Sequence, residues 1–220
     1  MQFILHENAG EAQITLQDEI YHHLFHSRRM RKLESLHLCN GRDFNLYLYT
    51  ITEIGKKDAR LTLKATQTAP LKNPPKGHLI WAIIEPKNIE KTLPMLNELN
   101  LAKITFFYAQ YSQKQFKLDF QRFQRILKGS CEQCGRMIGL EIEILPNLDK
   151  VLQNYPNFAV LDFGGKPLNH PLEIPLMVGC EGGLSQKERE ILQDKPIFSA
   201  PKCNILRSET AALYATTYLI

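Results

Sequence analysis

Two stretches near the end of the 220-residue chain carry residue types at spacings that could do chemistry. Leu176-Met-Val-Gly-Cys-Glu-Gly-Gly-Leu-Ser185 reads as a short apolar strand that breaks at Gly179, turns through Gly182 and Gly183, and restarts as a helix capped by Ser185. Glu188 follows three residues on, as in a capping box. Glycines at such a strand-to-helix turn let backbone N–H and C=O groups approach a ligand closely. Asn204-Ile-Leu-Arg-Ser-Glu-Thr-Ala-Ala212 sets Arg207 and Glu209 at the mouth of an apolar terminal helix, where a charged pair needs a partner or a task. Taken alone, each stretch is also compatible with ordinary α/β loops.

Other constellations are weaker. Cys131-x-x-Cys134 invites a redox or zinc reading, but a structural zinc site needs a second pair of ligands at matching spacing, and the sequence has none. The two thiols also fall inside a helical pattern with Phe120, Phe123, Ile126 and Leu127, which makes them small packing residues. The histidines are scattered, and His22 and His23 as neighbours cannot face one metal from a helix, so no metal site is expected. Ser185 and Ser208 lack the glycine elbow or paired histidine of a serine nucleophile. Two basic groups remain. Arg28, Arg29, Arg31 and Lys32 lie beside His22, His23 and His26, and Arg122, Arg125 and Lys128 line one side of a helix that Lys114, Lys117 and Arg136 extend. Both are candidates for a phosphate backbone, and the bland alternative for each is a solvated face.

The elements that must position these residues fall into two parts. As far as about Gln67 the sequence reads as short strands, Gln2–Leu5, Ala12–Leu16, Ser35–Cys39, Asn45–Ile54 and Ala59–Ala65, with Asp18–Phe25 as a helix: a small β-barrel over residues 1–67. The proline-rich residues 68–77 read as a linker. From 78 to 220 strand and helix alternate: strands His78–Glu85, Ile104–Ala109, Glu141–Leu145, Phe158–Phe163, Leu176–Val178 and Ile197–Ala200, and helices Pro86–Leu99, Asp119–Gly135 and Leu148–Asn154. Pro94 is expected to kink the first of these helices. Continuous apolar strands of this kind predict an α/β domain with a parallel sheet covered by helices. Ligands of such sheets sit beyond the carboxyl ends of the strands. The loops at Asp162, at Gly179–Gly183 and from Ala200 to Leu206 all follow predicted strands there. No Gly-x-Gly-x-x-Gly stands at a first strand–helix turn, which disfavours an ordinary dinucleotide fold.

Composition bounds the class. With 44% hydrophobic residues the chain can bury a substantial core, and a net charge of +4 confines any nucleic-acid contact to local basic clusters. An odd set of five cysteines points to reduced thiols, and neither a leader pattern nor an apolar run of membrane-spanning length is evident, so the expectation is a cytoplasmic protein.

Together the two C-terminal stretches, with Cys131-Glu-Gln-Cys-Gly-Arg136 and the His22-His23-Leu24 segment ahead of the basic run, resemble the bacterial 16S ribosomal RNA uridine N3-methyltransferase family. That family is a branch of the SPOUT, or trefoil-knot, methyltransferases. Cys180 stands where the family has Pro, and Lys202 where it has Gly, so a side chain there could crowd the cofactor loop. The resemblance implies a PUA-like RNA-binding barrel, a SPOUT domain with a C-terminal trefoil knot, S-adenosylmethionine as cofactor, 16S ribosomal RNA of the small subunit as partner, and a homodimer that needs no metal. The terminal helix, with Ala211, Ala212, Leu213, Ala215 and Leu219, is a candidate interface element, with simple core packing as the equal alternative. It further implies that the cofactor lies against Asp162, Val178, Gly179, Cys180, Glu181, Gly182, Ala200, Asn204, Ile205, Leu206 and Thr210. Arg207 is then expected to stabilise charge on the uracil carbonyls or the adjacent phosphate. Glu209 or Glu181 would take the N3 proton or hold Arg207, and His22, Arg28, Arg29, Arg31, Lys32, Arg122, Arg125 and Arg136 would contact RNA. The rival reading is a non-catalytic RNA-binding or assembly protein on the same fold, with Lys202 blocking the cofactor loop.

Overall fold

Burial alternates along β2 (Gln13–Gln17), which turns Ile14 and Leu16 inward between exposed residues, and along β4 (Asn45–Ile54), which turns in Tyr47, Tyr49 and Ile51 between half-buried ones. With β1 (Ile4–Leu5), β3 (Ser35–Cys39) and β5 (Asp58–Thr68) they form a sheet in the order β1-β3-β4-β5-β2, antiparallel except between β1 and β3. The register of β4 on β5 slips at Leu48/Tyr49 and again at Ile51/Glu53, irregularities that curl a sheet. The expected barrel is therefore a curled five-stranded sheet, in which β1 and β2 do not pair with each other among the described residues. Its core is Leu16, Leu24, Leu38, Tyr49, Ile51 and Leu61, and the buried Tyr49 hydroxyl is satisfied by donating to the Glu11 carbonyl at 2.6 Å. The predicted helix at Asp18–Phe25 is a single α-turn, α1 (Asp18–Tyr21), followed by a π-helical turn over His22–Ser27.

The computed structural model describes residues 3–27, 29–68, 74–200 and 204–220. It divides into one unit of Met1–Asn73 with Cys131–Ile138 and another of Pro74–Ser130 with Gly139–Ile220. In the second unit β6 (Lys76–Ala82), β7 (Leu101–Phe107), β8 (Glu141–Leu145), β9 (Ala159–Pro167), β10 (Leu176–Val178) and β11 (Ile197–Ser199) form a sheet in the order β11-β9-β10-β6-β7-β8, with every neighbouring pair parallel. Leu79–Ala82 and Ile104–Phe107 are buried without a break, the signature of strands covered on both faces. The helices are α2 (Pro86–Glu98), α3 (Phe120–Cys134), α4 (Leu148–Asn154), α5 (Gln186–Ile191) and α6 (Ser208–Thr216). α2 buries Ile89, Leu93 and Leu96 and runs without interruption through Pro94. α3 starts behind Asp119, whose Oδ1 accepts from the Arg122 N–H at 3.0 Å, and it buries Phe123, Leu127 and Cys131 along one stripe.

Candidate active site

The carboxyl ends of β9, β10 and β11 converge on a cleft of about 480 Å³, where open α/β sheets place their ligands and within the size range of small-molecule sites. β9 supplies one wall at a bulge in its pairing with β11. The ladder runs from Ile197↔Val160 directly to Phe198↔Lys166, so residues 161–165 have no ladder partner in β11, while Leu161 stays paired with Val178 of β10. Gly165 makes this possible: a Cβ there would lie 2.7 Å from the backbone of Ile197 and Phe198.

The opposite wall is the glycine turn after β10. The Gly183 N–H donates to the Cys180 carbonyl at 2.9 Å, the Cys180 thiol donates to the Gly183 carbonyl at 3.4 Å, and Gly183 has φ +71°. Behind it the expected capping box is present. The Glu188 N–H donates to Ser185 Oγ at 3.3 Å, and the Ser185 N–H donates to Glu188 Oε2 at 2.8 Å. The buried Glu188 carboxylate also accepts from the Gln110 N–H at 2.8 Å.

The third wall leads into α6. The indole N–H of buried Trp81 donates to Ser208 Oγ at 2.9 Å, and the Ser208 hydroxyl donates to the Gly179 carbonyl at 2.5 Å, fastening the first turn of α6 to the glycine turn. An ion pair lines the cleft: Arg189 Nε lies 2.7 Å from Asp162 Oδ2 and its Nη2 3.2 Å from Oδ1.

Asp162, Val178, Gly179, Cys180, Glu181, Gly182, Ala200, Asn204, Ile205 and Leu206 all line this cleft. Thr210 does not: it lies with Met95, Leu99, Leu213, Tyr214 and Thr217 on a groove between α2 and α6, because one helical turn carries it away from the cleft. Arg207 is exposed at the N-cap of α6 between the lining residues Leu206 and Ser208, and Glu209 is half-buried in the first turn. Among the described residues these two form no ion pair. Glu181 is exposed and accepts from the Glu85 N–H at 3.3 Å. Sequence reasoning missed Arg189 and the anchoring role of Ser208. The first reads as part of a solvated charged helix, and the second has a partner, Trp81, 127 positions away.

The RNA methyltransferase domain family matches residues 71–220, and the RNA methyltransferase PUA domain family matches residues 16–64. The ribosomal RNA small subunit methyltransferase E of Helicobacter pylori strain J99 is 40% identical over 222 residues, covering 99% of this chain and 98% of the relative. The chain belongs to the small subunit ribosomal RNA methyltransferase E family. Two solved structures are similar. A methyltransferase of Legionella pneumophila in complex with bound SAM has TM-score 0.81 and 26% identity, over 98% of this chain and 94% of that one. A methyltransferase E of Neisseria gonorrhoeae has TM-score 0.83 and 24% identity, over 99% and 95% of the two chains.

Of the two departures from the methyltransferase E pattern, Cys180 is accommodated. Its thiol is buried, burial pushes its pKa up, and it bonds back to Gly183 across the turn. Lys202 lies outside the described residues, as does Arg28. Of the expected RNA contacts, Arg29, Arg31 and Lys32 are exposed, as is His22, whose ring lies 4.9 Å from that of His26. Arg125 is exposed beside Lys128, and Arg122 pairs with Glu90 at 2.6 Å while keeping half its side chain in solvent. Arg136 is a correction. It is buried, and its Nε donates to the Ile138 carbonyl at 2.7 Å, so its guanidinium serves the chain's own backbone and is not presented to a phosphate. Cys131 is buried, as the packing reading requires, and no group of histidine, cysteine and carboxylate residues able to hold a metal occurs among the described residues. Among the described residues no helix is long and apolar enough to cross a membrane.

Proposed function

We propose that this chain is an S-adenosylmethionine-dependent methyltransferase acting on N3 of a uridine in the 16S ribosomal RNA of the small subunit, in the cytoplasm. The observation that carries the reading is the convergence of three strand ends on one cleft with glycine-formed walls, in a chain of the methyltransferase E family. The cleft fits the cofactor. Leu161, Val178, Leu206 and Ala211 give it an apolar portion for adenine, and the turns at residues 179–183 and 204–206 offer backbone donors and acceptors. Asp162, Val178, Gly179, Cys180, Glu181, Gly182, Ala200, Asn204, Ile205 and Leu206 would hold it. When bound, S-adenosylmethionine supplies a methyl group already activated on a sulfonium.

What is left to the protein is alignment and charge. N3 of uridine must lose its proton, and negative charge then spreads onto the flanking carbonyl oxygens. Arg207, beside the cleft and without an ion-pair partner among the described residues, is assigned to that charge or to the neighbouring phosphate. Glu181 is favoured over Glu209 as proton acceptor because it lines the cleft. N3 lies on the Watson–Crick edge, so the target must be unpaired when it enters.

Residues 1–67 serve as a PUA-like RNA-binding domain and 78–220 as the SPOUT domain, except that Cys131–Ile138 groups with the first unit; of the linker expected at 68–77, Thr68 belongs to β5 and Lys76 and Gly77 to β6. His22, Arg28, Arg29, Arg31 and Lys32 on the first, and Arg122 and Arg125 on the second, take phosphates. The C-terminal segment threads a trefoil knot, a reading supported by α6 lying against the β9–β10 connection: the Leu172 N–H donates to the Tyr218 carbonyl at 2.7 Å, and the Tyr214 hydroxyl to the Leu168 carbonyl at 3.2 Å. Of the terminal-helix residues expected at a dimer interface, Ala212, Ala215 and Leu219 are buried in the core of their own chain, and what supports a homodimer is the groove between α2 and α6, where Leu213 lies and Met95 is about half exposed. Calorimetric titration tests the core of the proposal. S-adenosylmethionine should saturate one site per chain, and a protein that binds RNA but no cofactor would favour the non-catalytic reading.

A further inference from the structure

Among the described residues that line the cleft, Arg189 is the one cation, and its guanidinium is only half used. Asp162 engages it side-on, through Nε at 2.7 Å and Nη2 at 3.2 Å. A guanidinium carries five N–H donors on more than one edge, and this pairing occupies a single edge. Among the described residues Nη1 has no partner. The two side chains are also unequal in exposure: Asp162 is 11% exposed and Arg189 44%, so the carboxylate holds from the protein side a guanidinium that reaches solvent. Arg189 runs over the glycine turn, where a Cβ at Gly183 would lie 3.8 Å from its Nη2.

The rest of the cleft is complementary to the other end of a nucleoside-bearing amino acid. Its apolar residues and open backbone suit a base and ribose, but a free α-carboxylate cannot be left there unpaired without a large desolvation cost. We infer that Arg189 receives the α-carboxylate of the cofactor's methionine end, with Asp162 as the positioning residue that fixes the guanidinium plane, so that the cleft selects ligands carrying that carboxylate. The inference rests on the assignment of this cleft to S-adenosylmethionine. The competing role for the pair is mechanical: it joins the bulge of β9 to α5 and could simply hold two walls together.

Calorimetry with S-adenosylmethionine and with its decarboxylated analogue, which keeps the nucleoside, sulfonium and amine, separates the two roles. The wild-type protein should bind the carboxylate-bearing ligand about ten- to a hundredfold more tightly, the scale of one charge-assisted hydrogen-bonded contact. In Arg189→Gln and Arg189→Ala that preference should vanish through loss of S-adenosylmethionine affinity, with the analogue bound within about twofold of wild type. Arg189→Lys should recover part of it, and Asp162→Asn should reduce the preference without abolishing it. Equal weakening of both ligands by Arg189→Gln, or no preference in the wild-type protein, would overturn the inference in favour of a wall clip. A wild-type protein that binds neither ligand would overturn the cofactor assignment itself.

Discussion

Arg207 occupies an unusual place for a cation, at the N-cap of α6, where the helix dipole favours negative charge and no side-chain cap is made. A residue kept there against its local electrostatics is suited to meet an anion from outside. Arg207→Ala should leave the fold intact, since the side chain is exposed, and should leave cofactor affinity nearly unchanged, while lowering methyl transfer by about a hundred- to a thousandfold. Single-turnover rates at saturating cofactor check this, and a variant with near-normal turnover would remove Arg207 from the chemistry. At this scale the sequence was most informative where a residue's role depends on its immediate neighbours: Gly179, Gly182 and Gly183 in the turn, and Ser185 with Glu188. It was least informative where a role depends on a distant partner. Nothing near Ser208 announces Trp81, and nothing near Arg189 announces Asp162, 27 positions earlier.

Among the elements, the central strands of the parallel sheet were legible because burial on both faces leaves continuous apolar runs; the bounds of Leu176–Val178, of the alternating edge strand Glu141–Leu145 and of the helix Leu148–Asn154 match those predicted. The bulge of β9 was not. Asp162-Phe-Gly-Gly165 reads as a strand end, and only the pairing with β11 at Lys166 and Pro167 shows that the strand runs on past it. The side of the sheet at β6, β7 and β8 holds a second polar group, outside the cleft. His78 Nε2 lies 2.8 Å from Thr105 Oγ1, the Thr105 hydroxyl donates to Glu143 Oε2 at 2.7 Å, the Tyr155 hydroxyl donates to the same oxygen at 2.5 Å, and Lys103 Nζ lies 2.6 Å from Glu141. Burial, with the Lys103 charge, lowers the His78 imidazolium from 6.5 to about 4. Burial alone would raise the Glu143 carboxyl, but the Tyr155 and Thr105 hydroxyls and Lys103 hold it below its ordinary value. A histidine lowered in the fold binds its proton more readily when unfolded. Its contribution is therefore full above pH 6.5 and is lost as the pH falls toward 4, on the order of 3 kcal/mol in total. Denaturant unfolding between pH 7.5 and 4 should show this fall in the wild-type protein and a flatter profile in His78→Gln, in which the side-chain amide can still bond to Thr105. An equally steep profile in the variant would place the acid sensitivity elsewhere.

For the whole molecule, the division into a strand-rich first part and an α/β second part was legible from the change of rhythm near the prolines. That Cys131–Ile138 belongs with the first unit was not, because helical periodicity says which side of α3 is buried but not which core it meets. The same gap put Arg136 among the expected RNA contacts although its guanidinium is buried. The exposed cluster of Arg29, Arg31 and Lys32 is the stronger candidate. Changing all three to Ala should weaken RNA binding and lower the slope of log K against log salt by about 2–3, since each cation removed leaves one phosphate un-neutralised, with cofactor binding unaffected. An unchanged slope would assign the cluster to solvent. The central claim is the reaction itself. Small ribosomal subunits from cells lacking this protein, incubated with the purified protein and S-adenosylmethionine, should gain 3-methyluridine at one position of the 16S ribosomal RNA, read by mass spectrometry of nuclease digests. Subunits that gain no methyl group, or gain it on another base or on a ribose, would contradict the account.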